Sequence, residues 1–152
     1  MTAQGHDTVL LSLGDTQSRV QITGEDGASQ AFALALGLDA VTPGPFRRDP
    51  PTPLELEQAI MVVEDVLMPL AAEVPPHEVV TLQAPLPLAE VLGSRELSRE
   101  SLEQLFGQFA AMVEGDPLAA ANLPKTRRFA AALLILREWM HHLSAERVVL
   151  AD

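Results

Sequence analysis

The chain has 152 residues, 47% of them apolar and 20% charged, so it can bury an ordinary core and is too apolar to be disordered. Its formal net charge of −11 disfavours nucleic-acid partners, since phosphate backbones would be repelled. The absence of cysteine removes disulfides, thiolate metal sites and cysteine nucleophiles from consideration.

The opening MTAQGHDT has neither the basic patch nor the apolar run of a signal peptide. No stretch approaches the roughly 20 apolar residues that span a bilayer. A cytoplasmic protein that binds no membrane is therefore expected. Residues 1–40 read as strands: Val9, Leu11 and Leu13 alternate, then Val20 and Ile22, then Phe32, Leu34 and Leu36. Turns at Gly14-Asp15 and Gly24-Glu25-Asp26-Gly27 separate them, which predicts a three-stranded antiparallel meander.

Residues 42–53 form a proline-rich loop leading to the clearest local signal in the chain. Thr52-Pro53-Leu54-Glu55 is a capping box with proline at the first helical position. The helix it starts should run to about Leu67, with Pro69 ending or kinking it. Its core face carries Leu56, Ala59, Ile60, Val63, Val66, Leu67 and Leu70. Val79, Val80 and Leu82 predict a short buried strand, and Leu86 to Leu92 a short helix closed by Gly93. Ser98 caps a further helix that stops at Gly115, and Asp116-Pro117 opens a helical turn. A long helix follows from about Pro124 to Leu143, and its apolar residues on several sides, including Leu134 and Ile135, place it centrally. Arg147 to Leu150 reads as a final strand.

One domain of α/β class is expected over residues 1–152, with α+β as the alternative: the meander, then 53–152 mainly helical with two short strands. This element order resembles that of ribonuclease-H-like and actin-like half-domains, at the level of topology alone. A nuclease of that type implies clustered carboxylates on the first strand, first helix and fourth strand to hold two metals. Here the fourth strand reads Glu78-Val79-Val80-Thr81-Leu82-Gln83, with no acid at its C-terminal end. A phosphate-binding Asp-x-Gly-Thr turn is also absent, since the first turn reads Gly14-Asp15-Thr16-Gln17. Fold analogy without the site assigns no activity.

The remaining chemistry is sparse. There is no nucleophile elbow, P-loop or dinucleotide turn. Glu138, His141 and His142 stand at helical spacing and make a secondary metal candidate, though solvated histidines at a helix end are the simpler reading. His6 and His77 have no spacing that recruits them. Lys125, Arg127 and Arg128 are the candidate anion contacts.

From Asp49 to Ser94 the chain carries eight acidic residues and no Lys or Arg, and the capped helix sits inside that block. Leu54, Met61 and Met68 recur every seven residues off the core face, bordered by Glu57 and Glu64. This flank predicts a non-enzymatic, self-associating interaction or assembly module without cofactor, partnered by its own copy or another protein. The alternative is a small-molecule or anion-binding domain, or a degenerate enzyme, built on the ribonuclease-H-like order.

Overall fold

The computed structural model describes residues 7–116, 118–119 and 122–151. Six strands form one sheet: β1 (Thr8–Ser12), β2 (Ser18–Thr23), β3 (Ser29–Leu34), β4 (Val79–Gln83), β5 (Glu96–Ser98) and β6 (Arg147–Leu150). Four helices accompany them: α1 (Pro53–Leu70), α2 (Leu88–Leu92), α3 (Arg99–Val113) and α4 (Arg127–His142). The sheet order is β3-β2-β1-β4-β6-β5. The first three strands make the expected meander, β4 and β6 run parallel to β1, and β5 returns antiparallel on β6.

Register explains the core. Ile22, Val9, Val80 and Val148 lie side by side across four strands, as do Val20, Leu11, Leu82 and Leu150. All eight are buried. Because side chains alternate along a strand, these two rows give one continuous apolar face. The other face carries Arg19, Gln21, Leu10 and Thr81 and stays partly open.

α1 begins as the capping box requires. The Thr52 hydroxyl accepts the Glu55 amide at 3.2 Å, and Glu55 accepts the Thr52 amide at 3.0 Å. Glu55 also accepts the Arg47 amide at 2.7 Å, which ties the proline-rich loop to the helix start. Burial pushes the Glu55 carboxyl up, but the Arg47 and Thr52 hydrogen bonds outweigh it and hold the group below its usual range. Replacing Thr52 with alanine should cost about 1 kcal/mol, measured by urea unfolding. Pro69 lies within the last turn rather than beyond it, so α1 ends at Leu70.

α4 packs between α1 and α3, and eleven of its residues are buried. It is shorter than expected because the Thr126 hydroxyl accepts the Phe129 amide and fixes the cap there. The three-residue strand β5 has no signal in the sequence, since Glu96-Leu97-Ser98 is too short to show a period. The helical turn expected at Asp116-Pro117 has Pro117 outside the described residues, as is His6. Among the described residues no helix is long and apolar enough to cross a membrane.

Candidate functional site

In an open sheet with parallel strands, ligands bind where the strands end at their carboxyl edge. Here that edge is formed by Ser12 of β1 and Gln83 of β4, which face each other in register. The Ser12 hydroxyl donates to Gln83 Oε1 at 3.2 Å, and the Leu13 amide donates to the Gln83 carbonyl at 2.8 Å. These are the strand ends at which a two-metal nuclease would need acids, and both are neutral.

The β1–β2 turn, Gly14 to Gln17, is braced from below. The amides of Leu38 and Asp39 donate to the carbonyls of Gly14 and Asp15 at 2.9 and 2.6 Å. The buried Ser18 hydroxyl donates to the Leu36 carbonyl at 2.8 Å. Close approach makes two glycines obligatory: a Cβ on Gly14 would strike the Gln17 carbonyl oxygen, and one on Gly37 the Asp15 backbone. Beside the turn an open cavity of about 540 Å³ is lined by Ser12, Gln17, Ser18, Arg19, Phe32 and neighbouring backbone. Arg19 brings a cation to its wall.

The N-terminus of α4 reaches the same edge. The Arg128 guanidinium spans Asp39 and Asp15, at 2.7 Å to each. Asp49 accepts the Arg127 amide at 2.6 Å. The candidate anion contacts Arg127 and Arg128 therefore stand where an anion would be welcome, with the chain's own carboxylates already on them. Lys125 precedes the Thr126 cap and is exposed.

At the opposite end of α4 the structure corrects the picture of solvated charges. Glu138 is 1% exposed, on a helix packed against both α1 and α3. Its Oε2 accepts from Arg137 Nη1 at 2.7 Å, and its Oε1 lies 3.3 Å from His142 Nε2. Glu64 does not border a free flank: its Oε2 is 3.1 Å from the same His142 Nε2, so α1 supplies the second helix for this cluster. His141 points elsewhere, with Nδ1 at 3.5 Å from Arg99 Nη2.

His77 is corrected too. It is buried, its Nδ1 lies 3.0 Å from the Pro75 carbonyl, and its Nε2 accepts from the Trp139 indole at 3.1 Å. The carbonyl requires the proton on Nδ1 and the indole N–H requires a lone pair on Nε2, so the ring is neutral. Burial holds its pKa below the ordinary imidazole value, outweighing the opposing pull of the Pro75 carbonyl. Two prolines precede the residue, and the segment has no periodicity from which this burial could be read.

Leu54, Met61 and Met68 are exposed at 62%, 62% and 59%, and Glu57 beside them is exposed as well. Their spacing is that of a second helix face. Scattered exposed apolar side chains are common on folded proteins and do not define an interface.

No protein-family model matches the chain, and no curated protein matches it in sequence. Solved structures do match in fold. A Ppx/GppA family member from Aquifex aeolicus superposes with a TM-score of 0.71 at 14% identity, over 99% of this chain and 53% of that one. An exopolyphosphatase-like protein gives 0.71 at 14% identity, over 97% and 55%. An exopolyphosphatase from Cytophaga hutchinsonii gives 0.64 at 13% identity, over 97% and 53%. The chain thus spans about half the length of the structures it matches. This likeness bears out the α/β class with its ribonuclease-H-like order. It overturns the reading as a non-enzymatic, homodimeric interaction module.

Proposed function

We propose that this protein is the phosphate-binding half of an exopolyphosphatase-like architecture, taking a linear phosphoanion at the β1–β2 turn. The observation that carries this reading is the match of nearly the whole chain to half of several such enzymes. The edge itself supports it: a tight turn between two strands, a cavity next to that turn with Arg19 on its wall, and the first turn of α4 joined to the same turn through Arg128 and Asp15. Phosphoryl transfer relies on charge clamps or metal ions to neutralise the transferring group. With Ser12 and Gln83 at the ends of β1 and β4, this half contributes binding and positioning. The groups that would drive hydrolysis have to come from elsewhere.

Tripolyphosphate should raise the thermal midpoint in a saturable way. Arg19→Gln, which removes one charge-assisted contact, should weaken binding about tenfold or more. Asp15→Asn should tighten it, because it removes a carboxylate from the turn and frees one side of Arg128. A flat midpoint with millimolar tripolyphosphate and pyrophosphate alike would retire the proposal.

A further inference from the structure

We infer that Glu64, Glu138 and His142 form a zinc site that cross-braces α1 to α4. It is independent of the phosphoanion reading. α4 runs from the carboxyl edge of the parallel strands, where Arg128 meets the β1–β2 turn, to the opposite edge. There the Glu146 amide donates to the Glu78 carbonyl just before β6 begins. His142 lies at that far end.

The hydrogen bonding within the cluster is frustrated in a way a cation would resolve. His142 Nε2 can carry one proton, yet it faces two carboxylate oxygens, Glu64 Oε2 at 3.1 Å and Glu138 Oε1 at 3.3 Å. One N–H cannot point well at both. A metal ion in place of that proton would bond to all three atoms at once.

The distances suit such an ion. Tetrahedral zinc with bonds of about 2.0–2.1 Å has ligand–ligand edges of about 3.3 Å. Two edges are already near that length, and the three donor atoms all lie within 4.8 Å of one another. Glu64, whose side chain is 37% exposed, closes the third by a change of rotamer and leaves a fourth position to water. One imidazole with two carboxylates is a donor set that suits zinc better than magnesium, which prefers six oxygens.

Charge and support agree. Glu138 is buried, and Arg137 Nη1 holds its other oxygen, which fixes the carboxylate as a neighbouring group fixes a metal ligand. Arg137 also binds Glu103 at 3.0 Å, while Glu64 pairs with His142, so when His142 is neutral the guanidinium is one positive charge set against the three carboxylates Glu64, Glu103 and Glu138. The two charges left over are those a divalent cation neutralises. Glu64 and His142 are 78 residues apart, so the bond would pin distant parts of the chain together.

The test is calorimetric titration of the full, tag-free, chelator-treated chain with zinc chloride, and separately with magnesium chloride. One zinc per chain is expected, with no comparable magnesium signal. Glu64→Gln and His142→Gln should each weaken zinc binding about tenfold or more, whereas His141→Gln should leave it unchanged. Circular dichroism without zinc checks that each variant folds. Should His142→Gln fail to fold, the more exposed Glu64→Gln decides. The inference is overturned if the wild type binds no zinc, or if Glu64→Gln binds it as tightly as the wild type. It is also overturned if His141→Gln is as damaging as His142→Gln, which would place the ion on the outer histidine pair.

Discussion

Trp139→Ala is expected to destabilise the protein by about 3–5 kcal/mol, enough to remove much of the stability of a domain this size. Trp139 has no solvent exposure and lies on the face of α4 that meets the sheet connection at Pro75 to Glu78. The loss has two parts. Most comes from the emptied volume, and the rest from stranding the buried Nε2 of His77, whose donor is the indole. Trp139→Phe separates them, keeping the ring and costing about 1–3 kcal/mol for the unmet acceptor. Urea unfolding of both variants checks this, and a Trp139→Phe variant as stable as the wild type would show that the hydrogen bond contributes nothing.

The same pair makes stability pH-dependent. His77 is neutral in the folded chain and its pKa is held below the ordinary value, chiefly by burial. In the unfolded chain it takes up a proton near pH 6.5. Between that value and the lowered folded pKa, the unfolded state binds more protons. Stability is therefore complete above about pH 6.5 and declines as pH falls below it. Protonation would also place a hydrogen on Nε2 against the indole N–H. Thermal midpoints from about pH 7 to about pH 5 should fall in the wild type and fall less in His77→Gln.

Arg137→Leu carries the second large effect, again about 3–5 kcal/mol. The guanidinium bonds to Glu138 and Glu103 and lies over the Phe106 ring at 4.8 Å. Removing it leaves the buried Glu138 carboxylate with His142 as its polar partner and the Glu64 carboxylate close by. Penalties of this kind come from the partner left behind rather than from the strength of the pair. The double variant Arg137→Leu/Glu138→Leu should accordingly recover more than half of the loss. Arg137→Lys should fall between, because an ammonium cannot present the planar fork to two carboxylates. A loss below about 1 kcal/mol for Arg137→Leu would mean that His142 alone neutralises Glu138.

Local rules carried much of the fold. The Thr52 and Ser98 caps, the meander, the short helix closed by Gly93 and the central α4 all follow from residues close in sequence. Gly93 is at φ 73, a left-handed conformation that glycine adopts without strain. The candidate sites were harder to see. Glu138 and His142 are one helical turn apart and visible as a pair, but Glu64 completes the cluster from another helix. His77 has no spacing that recruits it, and only its meeting with Trp139 makes it a core group. Arg128 is legible as a cation, whereas its bonds to Asp15 and Asp39 join segments 113 and 89 residues away.

By itself the sequence determined the element types apart from β5, the apolar faces and the absence of any strong catalytic signature, because period, capping and turn chemistry act within a few residues. The tertiary structure alone decided which charged groups are buried, which carboxylates share His142, and which turn lies beside the positive end of α4. Those are contacts between segments that neither period nor spacing links. Their energies depend on desolvation and on ångström distances, which exist only once the helices and sheet have packed.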